Sequence, residues 1–97
     1  MHEYLRKHIV EEIDGAMDYL GKAIELKNGG MPKFAAKFYK MGTMEIEHAN
    51  CMVKMFSSVP KPDTVSDKDF SAMQSAILDK YTGSMAKIEE LKKLYLQ

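Results

Sequence analysis

Glu12, Glu45 and His48 are the residues of this chain whose types and spacing suit metal chemistry. Glu45 and His48 are three residues apart, so on a helix a carboxylate and an imidazole rise from one side and can converge on a single cation. Glu12 belongs to an earlier segment, and its partnership with them depends on how the chain folds back. An ionised carboxylate taken out of water without a partner is costly, so such a group neutralises, pairs or binds a cation. Carboxylate oxygens combined with an imidazole nitrogen suit iron in both common oxidation states, and bridging carboxylates can hold two ions close together.

The elements that must position these residues are helical. The first periodic segment spans about Glu3–Lys27 and stops at Asn28-Gly29-Gly30, where both glycines accept left-handed backbone angles. Pro32 suits the first turn of a second helix over Met31–Phe56. The segment 58–65, with Pro60 and Pro62, breaks the pattern. Ser66 or Asp67 then caps a third helix over Ser66–Leu96, with Gly83 its weak interior position. No strand alternation or phosphate-binding glycine loop competes with this reading. The expected fold is therefore all-α and a single domain over 1–97: a metal-binding hairpin over 3–57, a proline-containing linker and a third helix over 66–97. The connection between the first two helices is short enough to force an antiparallel hairpin.

Helix one carries an apolar stripe at Leu5, Ile9, Ile13, Ala16, Leu20, Ala23 and Ile24, and Glu12 lies on or beside it. In helix two, Phe34, Phe38, Met41, Glu45, His48, Met52 and Met55 follow alternating steps of four and three, which sets Glu45 and His48 in the centre of an expected buried seam. Glu12 is about sixteen residues before the turn and Glu45 about fifteen after it, roughly 22–24 Å along each helix at 1.5 Å per residue. All three residues should meet at one level of the hairpin.

Composition narrows the function classes. Fourteen basic residues balance fourteen acidic ones, which leaves no electrostatic footprint for nucleic acid or an anionic membrane. No apolar run approaches membrane-spanning length. The first residues lack the apolar core of a signal peptide, and the lone Cys51 has no internal disulfide partner, so a reducing, cytoplasmic setting is expected. Ninety-seven residues, nine of them Met, leave apolar surface uncovered unless the chain associates.

Glu12-Ile13-Asp14-Gly15-Ala16-Met17-Asp18-Tyr19 followed by Glu45-Ile46-Glu47-His48-Ala49 resembles the first half of a ferritin-like di-iron protein. Such proteins join a helix-one glutamate, and a tyrosine seven residues on, to a Glu-x-x-His on helix two. The interval of thirty-three residues from Glu12 to Glu45 resembles bacterioferritins. The short chain is similar to encapsulated ferritins, which assemble their site across a dimer. The resemblance covers about residues 3 to 57. It implies ferroxidase activity on Fe(II) with dioxygen or peroxide, at a di-iron (Fe2+/Fe3+) centre. Glu12 would be a terminal ligand, Glu45 a bridge and His48 a cap on one iron. Tyr19 would bond a ligand carboxylate or take part in electron transfer.

A complete ferritin-like bundle needs a second such hairpin. Helix three offers Gln74 and Tyr81, which echo Glu12 and Tyr19 without the charge, and supplies no second Glu-x-x-His. A homodimer, or a larger homo-oligomer, would restore the ligand count and complete a four-helix-bundle core. An encapsulin-type shell is the partner that the resemblance suggests, but no evident targeting tail follows Tyr95, so storage in a shell is not carried over.

Rival readings follow from the same residues. The same donors suit manganese and other di-metal oxidoreductases, of peroxidase or manganese-catalase type. Glu45 and His48 could instead form a hydrogen-bonded seam in a metal-free structural or partner-binding helical module. His8, one turn before Glu12, reads as an edge residue that could add a ligand. Glu47 reads as solvated, able to guide cations, and Cys51 as a packed thiol.

Overall fold

A computed structural model describes all 97 residues. Three helices account for the chain: α1 (His2–Asn28), α2 (Pro32–Phe56) and α3 (Asp67–Leu96). The breaks fall where glycine and proline place them. Gly30 alone of the turn glycines takes the left-handed conformation (φ 80°), while Gly29 stays at φ −84°, so one of the two expected left-handed residues is used. Pro32 opens α2, and Ser66 caps α3 by accepting a hydrogen bond from the Asp69 amide at 3.1 Å.

On α1 the buried residues are Leu5, Ile9, Ile13, Ala16, Leu20 and Ala23, as the periodicity predicts, with His2 added at the start. Helix α2 differs from expectation by one residue. Its buried positions are Ala35, Gly42, Ile46, Ala49 and Phe56, whereas Phe34, Met41, Met55 and His48 are exposed. One residue is about 100° of helix rotation, so a smaller-residue stripe takes the centre, and the expected seam lies to one side with Phe38, Glu45 and Met52 half-buried at its inner edge. The physical reason is approach distance. Ala35, Gly42 and Ala49 recur every seven residues and let α2 lie close against α1, which the Phe34–Met41 stripe could not do.

Gly42 marks the tightest point. A Cβ there would sit 2.9 Å from Cγ and Cδ2 of Leu20, whose side chain is fully buried and has little room to yield. Gly42→Ala should therefore destabilise the chain, because about 1–3 kcal/mol of overpacking outweighs the gain of about 1 kcal/mol in helix propensity. A melting temperature several degrees lower in the variant would show it. An unchanged or raised value would mean that the hairpin is not held at this distance.

Helix α3 runs beside α1 and closes one side of the hairpin. Ile77 joins Leu5, Ile9, Ile13, Ala49 and Phe56, and Ile88 joins Ala16, Leu20 and Ile46. Polar ties fix its register. Gln74 Nε2 donates to the Phe56 carbonyl at 3.0 Å, Tyr81 donates to Asn50 Oδ1, and Lys80 pairs with Asp14 at 3.6 Å. Lys27 donates to the carbonyls of Tyr95 and Gln97, beside the stacked rings of Tyr39 and Tyr95. Gln74 and Tyr81 thus fasten α3 to α2. The radius of gyration is 15.8 Å, against about 12.5 Å for a compact domain of this length, and the extents are 53 × 19 × 15 Å. Such a slender layer covers the hairpin on one side only. No helix is long and apolar enough to cross a membrane.

Candidate metal centre

Glu12 rises from the middle of α1, between the buried residues Ile9, Ile13 and Ala16, and Glu45 and His48 rise one turn apart from the middle of α2. The hairpin brings the three to one level, with one donor atom from each lying within 4.8 Å of the others. His48 Nδ1 is 3.6 Å from Glu12 Oε2 and 3.9 Å from Glu45 Oε1. The cluster is graded from inside to outside: the side chain of Glu12 is 18% exposed, that of Glu45 26% and that of His48 53%. It sits at the edge of the hairpin on the flank that α3 leaves open, not in the centre of a seam.

Glu12 Oε2 is buried and has no hydrogen-bond partner. A buried carboxylate oxygen without a donor is an incomplete arrangement, and a proton held between the two carboxyls is one way to complete it. That proton shared with Glu12, together with burial and the like charge of Glu12, raises the Glu45 carboxyl to about 7, against the opposing influence of His48. A cation would satisfy the same oxygens without the proton. Two donors each about 2.1 Å from one first-row cation lie at most about 4.2 Å apart, and both histidine–carboxylate separations fall inside that limit. Two hard oxygens and one imidazole nitrogen fit Fe(II) or Mn(II), so the residues present fit the group that the resemblance implies.

The other expected participants are placed as follows. Tyr19 stands two turns along α1 from Glu12, with its ring centroid 6.1 Å from that of Phe38 on α2. His8 pairs with Glu11 at 3.6 Å and packs at a tilt against the Tyr4 ring, which makes it an edge residue outside the cluster. Glu47 is exposed. Cys51 is exposed as well, which corrects its reading as a packed thiol, since the rotation of α2 carries it outward.

Sequence reasoning passed over two residues. His2 is 4% exposed, with its ring centroid 5.0 Å from those of both Phe56 and Phe70, and it plugs the end of the bundle. Only the two phenylalanines opposite it could have pointed there, and they are distant in sequence. Gly15 lies under the Glu45 carboxylate, where a Cβ would come within 3.1 Å of Oε2. Its position three residues after Glu12 was the available signal. Comparison with family models, with curated proteins and with solved structures finds no match to the chain.

Proposed function

We propose that this chain binds iron and acts as a ferroxidase of ferritin-like type, oxidising Fe(II) at a centre that two copies of the chain share. The observation that carries the reading is the convergence of Glu12, Glu45 and His48, with one donor atom from each within 4.8 Å of the others and the buried Oε2 of Glu12 set 3.6 Å from His48 Nδ1. One chain offers two carboxylates and one imidazole, too few to surround a pair of ions. Two copies joined at the open flank offer four carboxylates and two imidazoles, the set that ferritin-like centres use. In the reaction, two Fe(II) ions give up one electron each to peroxide, which takes two protons and leaves as two waters. Dioxygen accepts the same two electrons and two protons to give peroxide. Glu12, Glu45 and His48 bind and orient the ions, and the proton released from Glu45 on binding goes to solvent through the exposed side of the cluster.

Anaerobic titration with Fe(II), followed by admission of oxidant, tests this. Saturable uptake of one Fe(II) per chain is expected, followed by oxidation faster than in protein-free buffer. Because a carboxyl that titrates near 7 must ionise before it ligates, affinity should fall about tenfold between pH 8 and pH 6. Uptake that is absent, or indifferent to pH across this range, would refute the proposal. A parallel titration with Mn(II), and turnover with peroxide, separates an iron centre from a manganese one.

A further inference from the structure

We propose that Gly15 is a positioning residue of the cluster: the absence of a side chain at this point of α1 lets the Glu45 carboxylate lie against α1 beside Glu12. Gly15 follows Glu12 by three residues and so shares its side of the helix. A Cβ built on it would have as its three nearest neighbours Oε2, Cδ and Cγ of Glu45, at 3.1, 3.8 and 3.9 Å. A glycine in the middle of a helix weakens it, and two ordinary reasons for keeping one do not apply here. Its backbone is normally helical, since Gly30 is the one glycine with positive φ. Nor does it relieve close helix packing in the manner of Gly42, whose Cβ would meet the Leu20 side chain and the Ala16 carbonyl. What a methyl at position 15 would meet is the carboxylate itself.

The oxygen would have to move by a few tenths of an ångström, and the new methyl would also strip water from it. Glu45 reaches across from α2 and has rotamers that point away from α1, so swinging outward is its simplest response. That movement opens the distance to Glu12 and removes one donor from the set within 4.8 Å. Gly21 is the natural control, because it lies on the same helix and a Cβ there meets nothing within 4 Å.

The placement of Glu45 is a property of the metal-free chain, while its consequence for cation uptake rests on the reading of Glu45 as a ligand. The test therefore has two readouts. Crystal structures of metal-free wild type and Gly15→Ala should show the Glu45 carboxylate turned away from Glu12 in the variant, with the helices unmoved. Co(II), which does not react with dioxygen at such donors and reports its ligands by its visible absorption, should bind Gly15→Ala at least tenfold more weakly than Gly21→Ala. A variant that holds Glu45 in its wild-type place despite the methyl overturns the inference. If Glu45 turns away but wild type takes up no Co(II), the placement by Gly15 stands and the metal reading falls.

Discussion

Glu45→Gln should no longer take up Fe(II), yet at pH 8 its metal-free form should melt at a higher temperature than metal-free wild type. The first half follows from losing a charged oxygen donor on each side of a shared centre, which should weaken uptake by at least a hundredfold. The second half follows from linkage. The folded chain holds the Glu45 proton up to about pH 7, whereas the unfolded chain releases it near the ordinary value of 4.5. The folded state therefore binds more protons between these limits, and stability falls as pH rises through them. The contribution is fully present below pH 4.5 and is lost above about pH 7. Glutamine keeps the shape and removes the charge, so the variant should be flat across the window in which wild type declines. With the side chain 26% exposed, screening reduces the difference at pH 8 to about 1–2 kcal/mol, or some 5 °C or more in a domain of this size. At pH 5 the two melting temperatures should converge. A Glu45→Gln protein less stable than wild type at pH 8 would mean that the carboxylate is part of a satisfied structural network, and the metal reading would fail. His48→Ala, by contrast, should lose iron with little change in the fold, since His48 is the most exposed of the three.

Fe(II) should drive association of the chain, and the same substitution should abolish that drive. The open flank carries Phe34, Met41, Met44 and Met55, all exposed, on the helix that also presents Glu45 and His48. Metal and apolar surface would thus be buried in a single event when two copies meet. A cation that binds only the paired state favours it by mass action, by about 4 kcal/mol for each ion bound at a free concentration a thousand times its dissociation constant, equivalent to roughly a thousandfold in the dimerisation constant per ion. Sedimentation velocity of dilute protein, with and without anaerobic Fe(II), measures this directly. A species that takes up two irons at unchanged mass would refute the shared centre. Association that is as strong in Glu45→Gln as in wild type would show that the apolar flank acts without the metal.

Much of this arrangement could be read from local signals. Asn28-Gly29-Gly30 and the prolines at 60 and 62 punctuate three helices, which end within a residue of where they were expected. The common level of Glu12, Glu45 and His48 followed from counting residues back from a tight turn, a count that regular helices preserve. The rotation of α2 was harder, because that helix carries two overlapping apolar stripes one residue apart. Judged by size, Phe34, Phe38 and Met41 look like core, but close packing against α1 selects the small residues at 35, 42 and 49. The attachments of α3 were hidden for another reason. Lys27 reaches carbonyls 68 and 70 residues away, and nothing in its neighbourhood on the chain marks it for that role. His2 was equally silent, since the rings it packs against belong to α2 and α3.

The one-residue offset between the stripes of α2 also bears on how the chain can change over generations. Positions 35, 42, 49 and 56 hold the hairpin together, while 34, 41, 48 and 55 are exposed. Packing and surface chemistry are therefore encoded on interleaved but separate residues of one helix. Selection can alter the second set, exchanging a charged or an apolar side chain, without reopening the problem of how the helices fit. The seam is conservative in the opposite sense: growth in side-chain volume at Gly42 or Ala49 affects every contact around it. A mutational scan of α2 would accordingly show two superimposed rhythms of tolerance, strict along the buried stripe and lenient along the exposed one.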